Sequence, residues 1–252
     1  GAGTNTAAIC FSGSNGPGDT SYNNSEEWNG TSWTEGNNLS SARRNSSGNG
    51  VQTSAISIGG VQPTGTVLNS VEEYDGTSWT AGTNYPSNIR GVGIIASTST
   101  DAIGFGGNNP PSAIPAVGAK QYDGTSWTAV ADLATTKQNP MAGGTTSAGL
   151  AVGGPGGSAI STTEEWNFSA TTVTAAAFSS GGTLNTGRSE AAGGGSQTSG
   201  IMVAGAVPSS TNKANVENYD GSSWSEGPDI SNARRNGGGT DAGTQTAFAI
   251  FG

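Results

Sequence analysis

The side chains able to do chemistry are few, and they return at regular intervals. Acidic pairs stand at Glu26-Glu27, Glu72-Glu73 and Glu164-Glu165, each followed by an aromatic residue. Basic residues open glycine-rich stretches at Arg43, Arg90, Lys137, Arg188 and Arg234. Paired carboxylates suggest acid–base work on a glycosidic bond, which needs a separation of roughly 5 to 9.5 Å across a substrate. Adjacent residues of a strand point to opposite faces, so these pairs cannot act together. They suit ion pairs with Arg or bonds from backbone N–H groups. The basic residues have two readings. They could ring one mouth of a channel and bind an anion, or each could pair with a Glu or a backbone carbonyl inside the fold.

Composition removes other chemistries. The 252 residues include no histidine, one cysteine (Cys10) and a formal charge of −9. An imidazole base, a His-ligated metal and a Ser-His-Asp triad are excluded. One cysteine makes neither an internal disulfide nor a thiolate metal site. We expect no cofactor and no metal. Nine Lys and Arg against 18 Asp and Glu argue against a nucleic-acid partner. No apolar run has the length of a membrane helix, so no insertion is expected. The chain opens on Gly1, which is read as processing or as part of a longer polypeptide.

The elements that must position these residues are repeats. One phrase recurs as EEWNGTSWT at 26–34, EEYDGTSWT at 72–80, KQYDGTSWT at 120–128, EEWNFSATTVT at 164–174 and ENYDGSSWS at 217–225. Its first aromatics, Trp28, Tyr74, Tyr122, Trp166 and Tyr219, anchor one domain spanning 1–252. A small apolar run ending in glycine alternates with it. Arg43, Arg90, Lys137 and Arg188 each stand 17 residues before a glycine, at Gly60, Gly107, Gly154 and Gly205. Asn29-Gly30, Asp75-Gly76, Asp123-Gly124 and Asp220-Gly221 separate the last two strands of four units and tolerate the positive φ of a tight turn.

Each unit of about 48 residues therefore reads as four short strands, the size of a propeller blade. The fold class expected is all-β: a β-propeller of five four-stranded blades, closed by strands from both termini. The stretch 233–243 would give the first strand missing from the N-terminal blade, because Gly3-Thr4-x-Thr6-Ala7 recurs as Gly243-Thr244-x-Thr246-Ala247. Residues 247–252 are then one strand too many. In the fourth copy Val173 replaces the tryptophan and Phe168 the turn glycine, which predicts a distorted blade.

The double glycine, Val71-Glu72-Glu73-Tyr74-Asp75 with Trp79, and Val216-Glu217-Asn218-Tyr219-Asp220 with Trp224 resemble the kelch-type propeller repeat. The Asp-Gly-Thr-Ser-Trp-Thr variant is similar to repetitive kelch-like proteins of marine bacteriophages, cyanophages among them. That resemblance implies a virion or tail-fibre protein, extracellular, with other assembly subunits as partners and a host-surface glycan as a further one. It implies a non-catalytic module. The alternative is a sialidase-like glycoside hydrolase acting on an anionic sugar at the channel mouth.

Binding residues are sought where copies differ. Arg43-Arg44 and Arg234-Arg235 are doublets in two units only, so Arg44 and Arg235 are the binding candidates. Tyr22, Tyr85 and the stretch 108–115, opening with Asn108 and Asn109, lie outside the repeated phrases. The segments 14–24, 61–70, 108–118, 155–162 and 206–215 should emerge on one face, where recognition loops usually sit.

Overall fold

The computed structural model describes residues 1–15, 20–109, 116–154, 161–168, 177–207, 211–239, 245 and 247–251. Among these there is no helix. Five four-stranded antiparallel sheets follow one another in chain order. The first holds Ala2–Gly3, Ala8–Ser14, Ser21–Trp28 and Trp33–Glu35. The second holds Ser47–Val51, Ser54–Ile58, Val71–Tyr74 and Trp79–Ala81. The third holds Gly93–Thr98, Asp101–Phe105, Ala119–Tyr122 and Trp127–Val130. The fourth holds Met141–Thr145, Ala148–Val152, Thr163–Asn167 and Ala177–Ser180. The fifth holds Ala192–Ser196, Ser199–Val203, Val216–Tyr219 and Trp224–Gly227. First strands of successive sheets lie side by side around a central cavity. The chain is a five-bladed β-propeller, as its repeats imply.

The core lies between blades rather than within one. Ile9, Phe11 and Leu39 pack with Ala55 and Tyr74 of the next blade. Ile95, Ile103 and Phe105 pack with Ala151 and Trp166. Second strands are covered on both faces, so they read as apolar runs rather than as alternating ones. First strands crowd the axis. A Cβ on Gly93 would lie 2.3 Å from Phe105 Cε2 and 2.8 Å from Pro140 Cγ. Gly93→Ala should therefore cost about 1–3 kcal/mol through overpacking, read as a lower urea midpoint.

The repeated Asx-Gly-x-Ser is a side-chain-capped turn. Asp75 Oδ1 accepts from the N–H groups of Thr77 and Ser78, both at 2.8 Å. Asp123, Asp220 and Asn29 do the same, and Gly76 adopts φ +92°. The backbone bond from Ser223, then bonds from Ser222, hold the Asp220 carboxyl down to about 2. The turn brings the flanking aromatics together: Tyr122 stacks on Trp127 with centroids 4.7 Å apart. Positions 169–176, where the fourth copy departs from the pattern, lie outside the described residues.

Two expectations need correction. The basic residue of the third unit is not Arg90. The N–H groups of Gly13, Gly60, Gly107, Gly154 and Gly205 donate to the carbonyls of Arg43, Ile89, Lys137, Arg188 and Arg234. Ile89 thus holds the repeated position, and Arg90 corresponds to Arg44. An extra residue in the first hairpin of the third blade, marked by a register shift between Asp101 and Ala102, restores the 17-residue interval by coincidence. Nor do the described residues 233–239 of the C-terminal stretch complete the first blade. Ala2–Gly3 does so itself, pairing with Ala8 and Ile9 across a turn closed by Thr4 N–H to Ala7 O at 2.7 Å. Closing so short a loop is entropically cheaper than recruiting a strand from the far end. Gly238–Gly239 pairs instead with Ile250–Phe251, forming half of a sixth unit against the fifth blade. The Gln245 amide reaches the carbonyls of Gly200 and Tyr219, as Gln52 reaches those of Ala8 and Trp28.

Candidate functional site

The first basic residue of each unit is a joint between blades. Arg43 Nη2 donates to Glu72, Arg188 Nη2 donates to Glu217, and Lys137 Nζ lies 3.6 Å from Glu164. All three cations are 0% exposed. Each carboxylate also accepts from backbone N–H groups: Ser40 to Glu72 at 2.8 Å, Ala134 to Glu164 at 2.6 Å, Asn185 to Glu217 at 2.8 Å. A buried charge needs this degree of pairing. Where Ile89 replaces the cation, Lys120 replaces the glutamate. The third unit swaps its ion pair for an apolar contact, and Ile89 is buried.

The second glutamate faces the other way, as strand alternation requires. Tyr122 and Tyr219 donate to Glu73 and Glu165 of the preceding blade at 2.6 and 2.7 Å, and Tyr74 donates to Glu27. Where the preceding blade has Gln121, the next carries Trp166, whose Nε1–H donates to Thr146 O at 2.9 Å. The sequence held this signal: a hydroxyl follows a carboxylate, and an indole follows an amide.

Burial and then the Glu165 hydrogen bond push the Tyr219 hydroxyl up to about 12. Burial, opposed by Glu164, brings the Lys137 ammonium down to about 8. The signs differ. From pH 8 to 10.5 the unfolded chain keeps a proton that folded Lys137 sheds, so this group adds stability as pH rises. Between pH 10 and 12 unfolded tyrosine ionises while folded Tyr219 does not, so stability is lost. Urea midpoints should hold or rise from pH 8 to 10 and fall from 10 to 12. Tyrosinate absorbance should lag that of a denatured control.

The second position of each basic doublet does reach the rim. Backbone bridges join Arg44 to Val61, Arg90 to Asn108 and Ser189 to Ala206, so this rim and the loops after the second strands share one face. Arg44 and Tyr22 line the central cavity together. Arg235, in another unit, pairs with Glu190 at 3.6 Å. Asn109 is half-buried where the described part of its loop ends. Tyr85 is not displayed: it is 4% exposed and meets Trp127 edge-on at 4.8 Å, because the connection between blades is part of the core. Asn108, at 2% exposure, is likewise held inside by its bridge. Positions 16–19, 110–115, 155–160 and 208–210 of the loops lie outside the described residues. No three His, Cys, Asp or Glu side chains come together among the described residues.

Rim residues share a backbone state. Asn45, Gly91, Asn139, Glu190 and Asn236 all have positive φ. The N–H groups of Gly91, Asn139 and Asn236 donate to the carbonyls of Asn45, Gly91 and Glu190, which ties the rim blade to blade.

No protein-family model matches the chain, and no curated protein matches it. Among solved structures, one titled "Structure of YjhT" is similar over 99% of this chain and 93% of that one, with TM-score 0.74 and 12% identity. At that identity the likeness speaks for the fold alone, a β-propeller.

Proposed function

We propose that this propeller is a non-catalytic binding module that presents its rim and polar loops to a glycan or a protein. One observation carries the reading. Glu27, Glu72, Glu73, Glu164, Glu165 and Glu217 all accept hydrogen bonds at the joints between blades, so the recurrent acids other than Glu26 hold the ring together. What remains for the outside is a rim of Arg, Asn and Gly with one glutamate, Glu190, and loops of differing length, a common arrangement for recognition on a rigid scaffold. The kelch-like phrases extend the proposal to a virion or another extracellular surface, with neighbouring assembly subunits as partners.

A hydrolase is the second reading, because Glu26, Glu190, Tyr22 and Arg44 line one cavity. The two readings separate in one experiment: a glycan array alongside a panel of fluorogenic glycosides that includes a sialoside. Binding without turnover is expected. Turnover abolished by Glu26→Gln or Glu190→Gln would replace the module with an enzyme.

A further inference from the structure

Four Asn-Gly steps occur in the chain, at 15–16, 29–30, 49–50 and 236–237. Such a step can cyclise, because the glycine has no side chain to shield its peptide nitrogen. The last three are fully described, and the fold gives each a different environment. Asn49 is 2% exposed; its Nδ2 donates to Ile94 O at 2.9 Å, and its Oδ1 accepts from the Gly50 N–H. Nucleophile and leaving group are both tied down there. Asn236 is exposed, and its Oδ1 accepts no hydrogen bond among the described residues. Asn29 is exposed as well, but its Oδ1 accepts from the N–H groups of Thr31 at 2.9 Å and Ser32 at 3.0 Å.

The Asn29 turn holds what ring closure needs. The Gly30 N–H donates to nothing among the described residues, so hydroxide can take its proton and leave the nitrogen free to attack. Two N–H groups on Oδ1 form an oxyanion hole for a tetrahedral intermediate at Cγ. The exposure is a property of the turn rather than of this blade, since the equivalent Asp75, Asp123 and Asp220 are exposed too. Those three residues also show that the turn accepts an aspartate. Beyond the two backbone bonds, the hydroxyls of Ser78, Ser126 and Ser223 donate to the second carboxylate oxygen at 3.3, 3.1 and 3.2 Å. At Asn29 the matching contact, Nδ2 to Ser32 Oγ, is longer at 3.4 Å.

We propose that Asn29 is a self-modification site, where the turn converts asparagine to aspartate through a cyclic imide. The Gly30 nitrogen, its proton lost to hydroxide, bonds to Asn29 Cγ, and charge gathers on Oδ1 between the Thr31 and Ser32 N–H groups. The Cγ–Nδ2 bond breaks, and Nδ2 leaves as ammonia with a proton from water, which regenerates the hydroxide. Another water opens the imide. Addition at Cγ breaks the bond to the Gly30 nitrogen and gives aspartate in an unaltered main chain. Addition at the Asn29 carbonyl carbon gives isoaspartate, with the main chain rerouted through the side chain. The oxyanion hole activates Cγ, so the folded chain favours aspartate. Isoaspartate would also put an extra methylene into the turn that pairs Trp28 with Trp33.

The test incubates the whole folded chain at neutral and mildly alkaline pH beside a urea-denatured control. Samples taken over time are digested, and tandem mass spectrometry locates each conversion and separates aspartate from isoaspartate. Asn29 should convert about tenfold faster than Asn236, the worth of roughly one hydrogen bond in the transition state, and Asn49 should stay intact. Both exposed sites should speed up with pH, because hydroxide forms the nucleophile. At position 29 aspartate should exceed isoaspartate in the folded chain, and the ratio should invert in the control. Asn29→Asp, which is the product itself, should leave Tm level or higher, since three turns already carry Asp. Equal rates at Asn29 and Asn236 would overturn the proposal, and so would an intact Asn29 beside a converted Asn236 or Asn49. A product ratio unchanged by denaturation would do the same, as would a lower Tm for Asn29→Asp, because the turn would then neither steer the reaction nor accept its product.

Discussion

Glu217→Ala is expected to lower the unfolding free energy by about 3–5 kcal/mol, the range for stranding one member of a buried ion pair. Arg188 and Glu217 are both 0% exposed. Removing the carboxylate leaves the guanidinium without its counter-charge and the Asn185 and Thr186 N–H groups without their acceptor. Much of a typical domain's stability would go with it. The pair itself need not be the cheapest solution, because two desolvated charges return little more than they cost. The third unit shows the other solution, with Ile89 at the cation's place and Lys120 at the carboxylate's. Arg188→Ile combined with Glu217→Leu should therefore recover most of the loss. Chemical unfolding of the two singles and the double gives the coupling directly. If Glu217→Ala alone costs under about 1 kcal/mol, the joints do not depend on these charges.

The same comparison shows what was legible in the sequence. Asx-Gly turns, four strands per unit and tryptophans wedged between blades are local or periodic features, and the repeats print the strand phrases five times and the turn and its tryptophan four times. The basic position was misread in the third unit because two departures cancelled: one residue inserted in a hairpin, and one Ile–Arg step at 89–90. Counting along the chain cannot separate these, whereas hydrogen bonds from the glycines do. Yet KQYD in place of EEYD was visible at 120–123, and the absence of a glutamate there implied that no buried cation should face it. Tyr85 misled for another reason. It lies outside the repeated phrases, but connections between blades fill the wedge between sheets, and burial there follows from ring geometry. The glutamate at the left-handed rim position was not legible at all, because φ is not written in residue spacing.

Trp166→Ala should cost about 3–5 kcal/mol, the range for emptying a buried aromatic site. Trp166 is 0% exposed and fills the wedge between Ile95, Ile103 and Phe105 of the third blade and its own sheet. Few neighbours can collapse into the space, since first and second strands are already pinned by their ladders. Trp28 gives the control within the same molecule. It holds the equivalent place in the first blade and makes the equivalent bond, Nε1–H to Asn5 O at 3.0 Å, but it is only half-buried. Trp28→Ala should cost markedly less, because the hydrogen bond is common to both sites and the buried apolar area is not. Trp166→Tyr should be milder than the alanine variant, and adding Gln121→Glu should improve it by restoring the hydroxyl–carboxylate contact found at Tyr122 and Tyr219. Equal losses for Trp28→Ala and Trp166→Ala in urea unfolding would mean that inter-blade burial is not what holds the ring.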